Sequence, residues 1–124
     1  LDALLKESDF ISLHTPLNDD SRHLIGRREL GLMKKSAFII NTARGAVIDE
    51  AALTECLRKR TIRGAALDVF EREPHITDEL YTLDNVILLP HVGTATIDGR
   101  IAMAEEALTN IRNFLEGHPT NVVN

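Results

Sequence analysis

Four short segments of the sequence combine ionisable or hydroxyl side chains with glycine or proline, and each follows an apolar run. They are residues 14–16 (HTP), 41–45 (NTARG), 68–74 (DVFEREP) and 90–94 (PHVGT). An arginine can hold a carboxylate even in an acidic protein, and histidine and carboxylate side chains transfer protons. Arg44, Glu73 and His91 are therefore candidates for chemistry. Each also has an ordinary alternative: a surface ion pair, a solvated charge and a structural histidine, respectively.

The apolar runs before these segments predict the elements that position them. Buried strands are expected at residues 9–14, 37–41, 64–70 and 86–89. Helices are expected at the start of the chain, at residues 27–32, and from an Asp49 cap through residue 57, with Glu50 in the first turn. Strands that alternate with helices indicate an α/β fold with a parallel sheet covered on both faces. Ligands bind beyond the carboxyl ends of such strands, which is where the four segments lie.

A long helix is predicted to begin near Thr96 and to stop before Gly117. Its apolar residues recur at steps of three and four, which predicts a single buried face. The residues of that face are Ile97, Ile101, Ala104, Leu108, Ile111 and Leu115.

The composition excludes some classes of function. The 124 residues carry a net charge of -5, which argues against nucleic acid as a partner because phosphate binding needs a basic surface. No apolar run approaches the roughly 20 residues that cross a membrane. The single cysteine, Cys56, fits a reducing compartment, so we expect a cytoplasmic protein. The chain starts at Leu1 rather than Met, so the sequence does not exclude a targeting segment upstream.

In order and spacing, residues 14–17, 41–45, 67–74 and 89–96 resemble the D-isomer-specific 2-hydroxyacid dehydrogenases. Glyoxylate and hydroxypyruvate reductases are the most similar subgroup. The resemblance implies a Rossmann-like, doubly wound parallel sheet and a nicotinamide cofactor. It implies that the chain is the second half of the dinucleotide-binding domain, with residues 1–115 ending in the long return helix. Residues 116–124 would then begin the return to a substrate domain that the chain lacks.

The resemblance assigns roles to the three candidates. Arg44 would bind the carboxylate and the 2-oxo group of the substrate. His91 would protonate the carbonyl oxygen as hydride arrives, with Glu73 as the partner that favours its charged form and fixes its tautomer. Glu71 competes for the role of Glu73, which we prefer because it directly precedes Pro74. Formate dehydrogenases of the family carry an amide in place of this glutamate, so Glu73 argues against formate.

The resemblance also implies a cofactor site beside these residues. On the nicotinamide side, Asp68 would accept a hydrogen bond from the carboxamide. Backbone groups of Thr42 and Ala43 would lie nearby, together with Arg44 and His91.

On the adenosine side, the resemblance implies contacts from Thr15, Pro16 and Ser21, although the family often has threonine where Ser21 stands. Gly93 would allow close approach of the backbone to the ligand. The cofactor is NAD or NADP: the glycine-rich turn and the ribose-reading residue that distinguish them are not in the chain.

Two classes of function stay open. The first is a reductase of small 2-oxo acids that is a homodimer when complete, without nucleic acid or membrane partners, and whose present chain alone is inactive. The second is a cofactor-sensing corepressor of the same fold, because such proteins resemble this family and retain the same three residues. The remaining histidines have spacings that fit no metal cluster and are expected to be structural or exposed. They are His14, His23, His75 and His118.

Overall fold

The computed structural model describes residues 1–123, so the final residue of the predicted return segment, Asn124, lies outside the described residues. The chain divides into two compact units, of which the first is Leu1–His91 and the second begins at Val92. The elements of the first unit are α1 (Asp2–Glu7), β1 (Phe10–Leu13), α2 (Arg27–Leu32), β2 (Phe38–Asn41), a 3-10 turn (Gly45–Val47), α3 (Glu50–Arg58), β3 (Gly64–Leu67), a second 3-10 turn (Asp78–Thr82) and β4 (Val86–Leu88). The second unit contains α4 (Ile97–Leu115).

The four strands form one parallel sheet in the order β1-β2-β3-β4, which confirms the predicted α/β fold. The register pairs Leu13 with Asn41, Asn41 with Leu67, and Leu67 with Leu88. The carboxyl ends of all four strands therefore lie level with one another. As a result, the loops that follow them start from a common edge.

The helices of the first unit cover one face of the sheet. Ile11, Leu13 and Ile39 are buried there, in one core cluster with Leu5 of α1 and Leu30 of α2. Burial of this kind supplies most of the favourable free energy of folding.

The opposite face of the sheet differs from the prediction of cover on both faces. Phe10 and Ile87 remain 69% and 63% exposed. The Phe10 and Phe38 rings stack there, with centroids 5.4 Å apart. The apolar runs gave no hint of this asymmetry because they place apolar side chains on both faces of each strand, whereas α1, α2 and α3 cover only one.

Two helix ends follow the predictions. The Asp49 side chain caps α3 by accepting a hydrogen bond from the Ala52 N–H at 2.9 Å. Gly117 lies just beyond α4 with a φ of 82°, a conformation that glycine adopts without strain.

The predicted buried face of α4 was wrong for this chain. None of the residues of α4 is buried, and Ile97, Leu108 and Leu115 are each more than half exposed. A stripe of apolar residues needs a second surface to cover it, and α4 is the sole helix or strand among the described residues of its unit.

Candidate functional site

The loop after β2 is shaped by a buried asparagine at the strand end. Asn41 is 1% exposed, and its side chain accepts from the Ala43 N–H at 3.0 Å and donates to the Arg44 carbonyl at 3.0 Å. These two bonds close a tight turn over residues 42–44. Asn41 had no predicted role, although a polar residue that ends an apolar strand is a usable signal because its side chain needs buried partners.

An open cleft of about 540 Å³ lies between the loops that follow β1 and β2. It brings together five of the predicted cofactor residues. The lining residues are His14, Thr15, Pro16, Leu17, Thr42, Ala43 and Arg44. None of them is acidic, so the cleft presents hydroxyls, backbone groups and one guanidinium to a ligand.

The side chain of Arg44 is exposed and folds back on its own loop. Its Nη1 donates to the Ala43 carbonyl at 2.7 Å. A guanidinium has five N–H donors, so this bond leaves others for an anion in the cleft.

The Glu73 carboxyl and the His91 ring are hydrogen-bonded at the same edge of the sheet. Glu73 Oε2 lies 2.8 Å from His91 Nδ1, and Glu73 Oε1 accepts from the Phe70 N–H at 2.9 Å. Partial burial on its own would raise the pKa of the Glu73 carboxyl. The hydrogen bonds from His91 and Phe70, with the charges of His91 and Arg44, outweigh burial and hold this pKa below its usual value. Glu73 is thus ionised at neutral pH.

The His91 backbone adopts a φ of 54°, in the left-handed region that non-glycine residues seldom occupy. Its ring is half exposed, and Nδ1 is engaged by Glu73. Nε2 is the ring nitrogen on the side away from the Glu73 contact. An imidazole held at one nitrogen and open at the other can exchange a proton with a bound molecule.

Glu71, the competing residue, lies in a different set of contacts. Its Oε1 is 2.9 Å from His23 Nε2, and its Oε2 accepts from the Glu50 N–H at 3.3 Å. Glu50, predicted only as a charge in the first turn of a helix, is buried and bonded to the same loop. No local pattern distinguishes it from a solvated glutamate.

Two other predicted cofactor residues of the first unit, Asp68 and Ser21, are not among the residues that line the cleft. Asp68 is 3% exposed, and its N–H donates to the Asn41 carbonyl at 2.9 Å. The buried Ser21 hydroxyl donates to the Pro16 carbonyl at 2.6 Å, within its own loop. Gly93 is exposed and belongs to the second unit.

Two kinds of site are absent from residues 1–123. No group of three or more histidine, cysteine, aspartate or glutamate side chains is placed to hold a metal ion there. None of the helices in that range has the length and apolar character needed to cross a bilayer.

Comparison with known proteins places these features in a family. The family described as D-isomer specific 2-hydroxyacid dehydrogenase, NAD binding domain, matches residues 1–93. A glyoxylate reductase of Thermococcus litoralis is 52% identical over 124 residues, which cover 99% of this chain and 38% of that protein. The chain thus spans less than two-fifths of the length of that relative.

Two solved structures share the fold closely. The NADPH-dependent glyoxylate/hydroxypyruvate reductase of Sinorhizobium meliloti, in complex with NADP and malonate, has a TM-score of 0.90 and 32% identity, over 92% of this chain and 36% of that one. A NAD-complexed D-isomer specific 2-hydroxyacid dehydrogenase of Lactobacillus delbrueckii ssp. bulgaricus has a TM-score of 0.89 and 34% identity, over 100% of this chain and 42% of that one. The corepressor alternative gains no support from these relatives. The chain belongs to the D-isomer specific 2-hydroxyacid dehydrogenase family, and its residues 1–93 correspond to the NAD binding domain of that family.

Proposed function

We propose that this chain supplies the catalytic edge of a NAD(P)-dependent reductase that converts small 2-oxo acids, such as glyoxylate or hydroxypyruvate, into 2-hydroxy acids. The observation that carries the proposal is the hydrogen bond between Glu73 and His91, at an edge where the charge of Arg44 also acts on Glu73. A proton donor and an anion-binding cation are the two groups that carbonyl reduction of a 2-oxo acid requires from the protein.

The cleft residues fit part of a dinucleotide. Thr15 and Thr42 supply hydroxyls, Pro16 and Ala43 supply small apolar surface, and the lining holds no carboxylate that would repel phosphate. When bound, NADH or NADPH supplies the hydride. As the resemblance implies, Asp68 and Ser21 are also assigned to the proposed cofactor site. The assignment of Gly93, which belongs to the second unit, rests on the resemblance alone. The choice between NAD and NADP is left open by the relatives, which include complexes with each.

Each of the three residues has one task in the proposed reaction. The Arg44 guanidinium binds the substrate carboxylate with paired N–H donors and orients the 2-oxo group. His91, held by Glu73 through Nδ1, donates the Nε2 proton to the carbonyl oxygen while hydride adds to the carbonyl carbon. The product is the 2-hydroxy acid, and His91 is left neutral. In the reverse direction, neutral His91 takes the hydroxyl proton.

The domain organisation, the activity of the isolated chain, the oligomeric state and the cellular compartment are also proposals. Residues 1–115 are assigned to the cofactor domain and residues 116–124 to the start of the return to a substrate domain. The relatives extend well beyond the length of this chain, and the open cleft needs further walls to exclude water. The isolated chain should therefore be inactive. A homodimer in the cytoplasm is proposed from the resemblance and from the free cysteine, Cys56.

The test is steady-state oxidation of NADH and NADPH by the full-length protein in which this chain occurs, with glyoxylate and hydroxypyruvate as substrates. Arg44→Ala and His91→Ala should each lower kcat/KM by about a hundredfold or more. Arg58→Ala and His118→Ala, which change exposed residues to which no role is assigned, serve as matched controls. Loss of kcat/KM below about tenfold in the first two variants would contradict the proposed roles.

A further inference from the structure

We infer that Glu50, a buried residue at the start of α3, is a positioning residue. It holds the loop of residues 68–77 so that Glu73 stays within hydrogen-bonding distance of His91. This inference rests on the proposed function. It assigns a role to a side chain that contacts neither the cleft nor the hydrogen-bonded pair of Glu73 and His91.

The Glu50 side chain is bonded to the loop that carries Glu73. Glu50 is 8% exposed. Its Oε2 accepts from the Glu71 N–H at 2.8 Å, and its Oε1 accepts from the Thr77 hydroxyl at 2.5 Å and from the Thr77 N–H at 3.3 Å. One carboxyl group thus accepts three hydrogen bonds from two points of the loop.

The Glu71 side chain in turn binds the start of α3. Its Oε2 accepts from the Glu50 N–H at 3.3 Å, at the first residue of α3, where unpaired N–H groups favour a negative charge. Its Oε1 pairs with His23 at 2.9 Å. The helix end and the loop are therefore joined by reciprocal bonds rather than by one side chain.

The anchors lie on both sides of Glu73 along the chain. Phe70 and Glu71 precede it, and Thr77 follows it. Glu73 itself is bonded to the Phe70 N–H through Oε1. Any release of Glu71 or Thr77 would therefore shift the backbone from which Glu73 reaches His91.

The same junction ties this loop to the one that carries Arg44. A Cβ atom built on Gly45 would lie 1.9 Å from the carbonyl carbon of Phe70 and 2.4 Å from the Glu71 nitrogen. The backbones of the two loops are therefore in direct contact. Fixing Glu71 with Glu50 fixes Glu73 relative to Arg44 as well.

The chemistry of the contact requires two acceptor oxygens. In Glu50→Gln, an NH₂ group replaces one oxygen and meets either the Glu71 N–H or the Thr77 donors. A buried donor left without an acceptor is costly, so the loop is expected to move to satisfy it. A displacement of about 1 Å at a reacting group can cost up to about a hundredfold in rate.

The test compares kcat, KM and the pH profile of kcat/KM in the full-length protein with glyoxylate and either cofactor. Glu50→Gln should lower kcat by about tenfold to a hundredfold and should change the dissociation constant of NAD(P)H by less than about threefold. Its pH profile should move in the same direction as that of Glu73→Gln. Glu55→Gln, the same substitution further along α3, is the matched control and should leave kcat unchanged.

A double-mutant cycle separates positioning from general loss of stability. Because Glu50 acts through Glu73, adding Glu50→Gln to Glu73→Gln should lower kcat by less than about threefold further. Thr77→Val, which removes only the hydroxyl donor, should lower kcat several-fold and decides the matter if Glu50→Gln does not fold.

The outcomes distinguish the two proposals. An inactive wild-type protein overturns the proposed function. An active wild type in which Glu50→Gln and Thr77→Val both keep kcat within threefold overturns the positioning role alone. Effects of Glu50→Gln and Glu73→Gln that multiply also overturn it.

Discussion

Glu73 Oε2 lies 2.8 Å from His91 Nδ1, although the two residues are 18 positions apart in the chain. Glu73 is ionised over the neutral pH range, because its hydrogen bonds from His91 and Phe70 outweigh the partial burial that would raise its pKa. A carboxylate at Nδ1 keeps the N–H on that nitrogen and stabilises the imidazolium. The proton available for transfer is thereby placed on Nε2.

Replacing Glu73 by glutamine should slow the proposed reaction while the fold survives. The amide keeps the shape but removes the negative charge beside the imidazole, so protonated His91 loses its stabilisation. We expect kcat/KM to fall by about a hundredfold and the alkaline limb of its pH profile to move to lower pH. Both are measured with glyoxylate in the full-length protein. Glu79→Gln is the control, and an unchanged profile in Glu73→Gln would contradict the role.

The same carboxyl should make stability depend on acid pH. The pKa of Glu73 is lowered from 4.5 in the folded chain. The contribution of Glu73 to the free energy of unfolding is therefore fully present above about pH 4.5. It is lost as the pH falls through the pKa of the folded state. The side chain is 35% exposed, so solvent screening limits the effect to about 1 kcal/mol or less. The free energy of unfolding of wild type and Glu73→Gln should converge as the pH drops. A constant difference would argue against the lowered pKa.

The sequence predicted the site residues that the strand ends position, but not those whose position depends on contacts between distant loops. The apolar runs predicted strand ends close to Leu13 and Asn41, so the edge that carries Arg44 could be predicted. The third run was predicted to continue to Phe70, three residues beyond the observed end of β3 at Leu67, because an apolar run does not show where strand pairing stops. The burial of Glu50 was not readable, because it depends on bonds to Glu71 and Thr77, more than 20 residues away.

The exposed face of α4 was missed for a different reason. The pattern of Ile97, Ile101 and Leu108 reports that a surface must cover the helix, not where that surface lies. The spacing of apolar residues shows which face of one helix is apolar, and it does not identify what packs against that face. The partner of that element has to come from elsewhere, and no other helix or strand is present among the described residues of its unit.

Gly45 should tolerate no larger residue. An added Cβ would lie 2.0 Å from the Phe70 carbonyl oxygen, and backbone atoms cannot move aside as a flexible side chain can. We expect Gly45→Ala to lower the free energy of unfolding by about 1–3 kcal/mol, measured by urea denaturation. Gly31→Ala is the matched control, because nothing lies within 4 Å of its added Cβ. Equal stability of the two variants would show that the loop with Gly45 and the loop with Phe70 are not in contact.

Arg44→Lys should separate charge from geometry in substrate binding. Lysine keeps the positive charge in the cleft but cannot donate two parallel N–H bonds to one carboxylate. We expect KM for glyoxylate to rise by about tenfold or more, with a smaller change in the dissociation constant of the cofactor. Arg58→Lys controls for a general effect of the exchange. If Arg44→Lys leaves KM unchanged, the guanidinium acts as a point charge or binds the Ala43 carbonyl alone, as it does in this structure. Added guanidinium ion that restores activity in Arg44→Ala would support the paired contact.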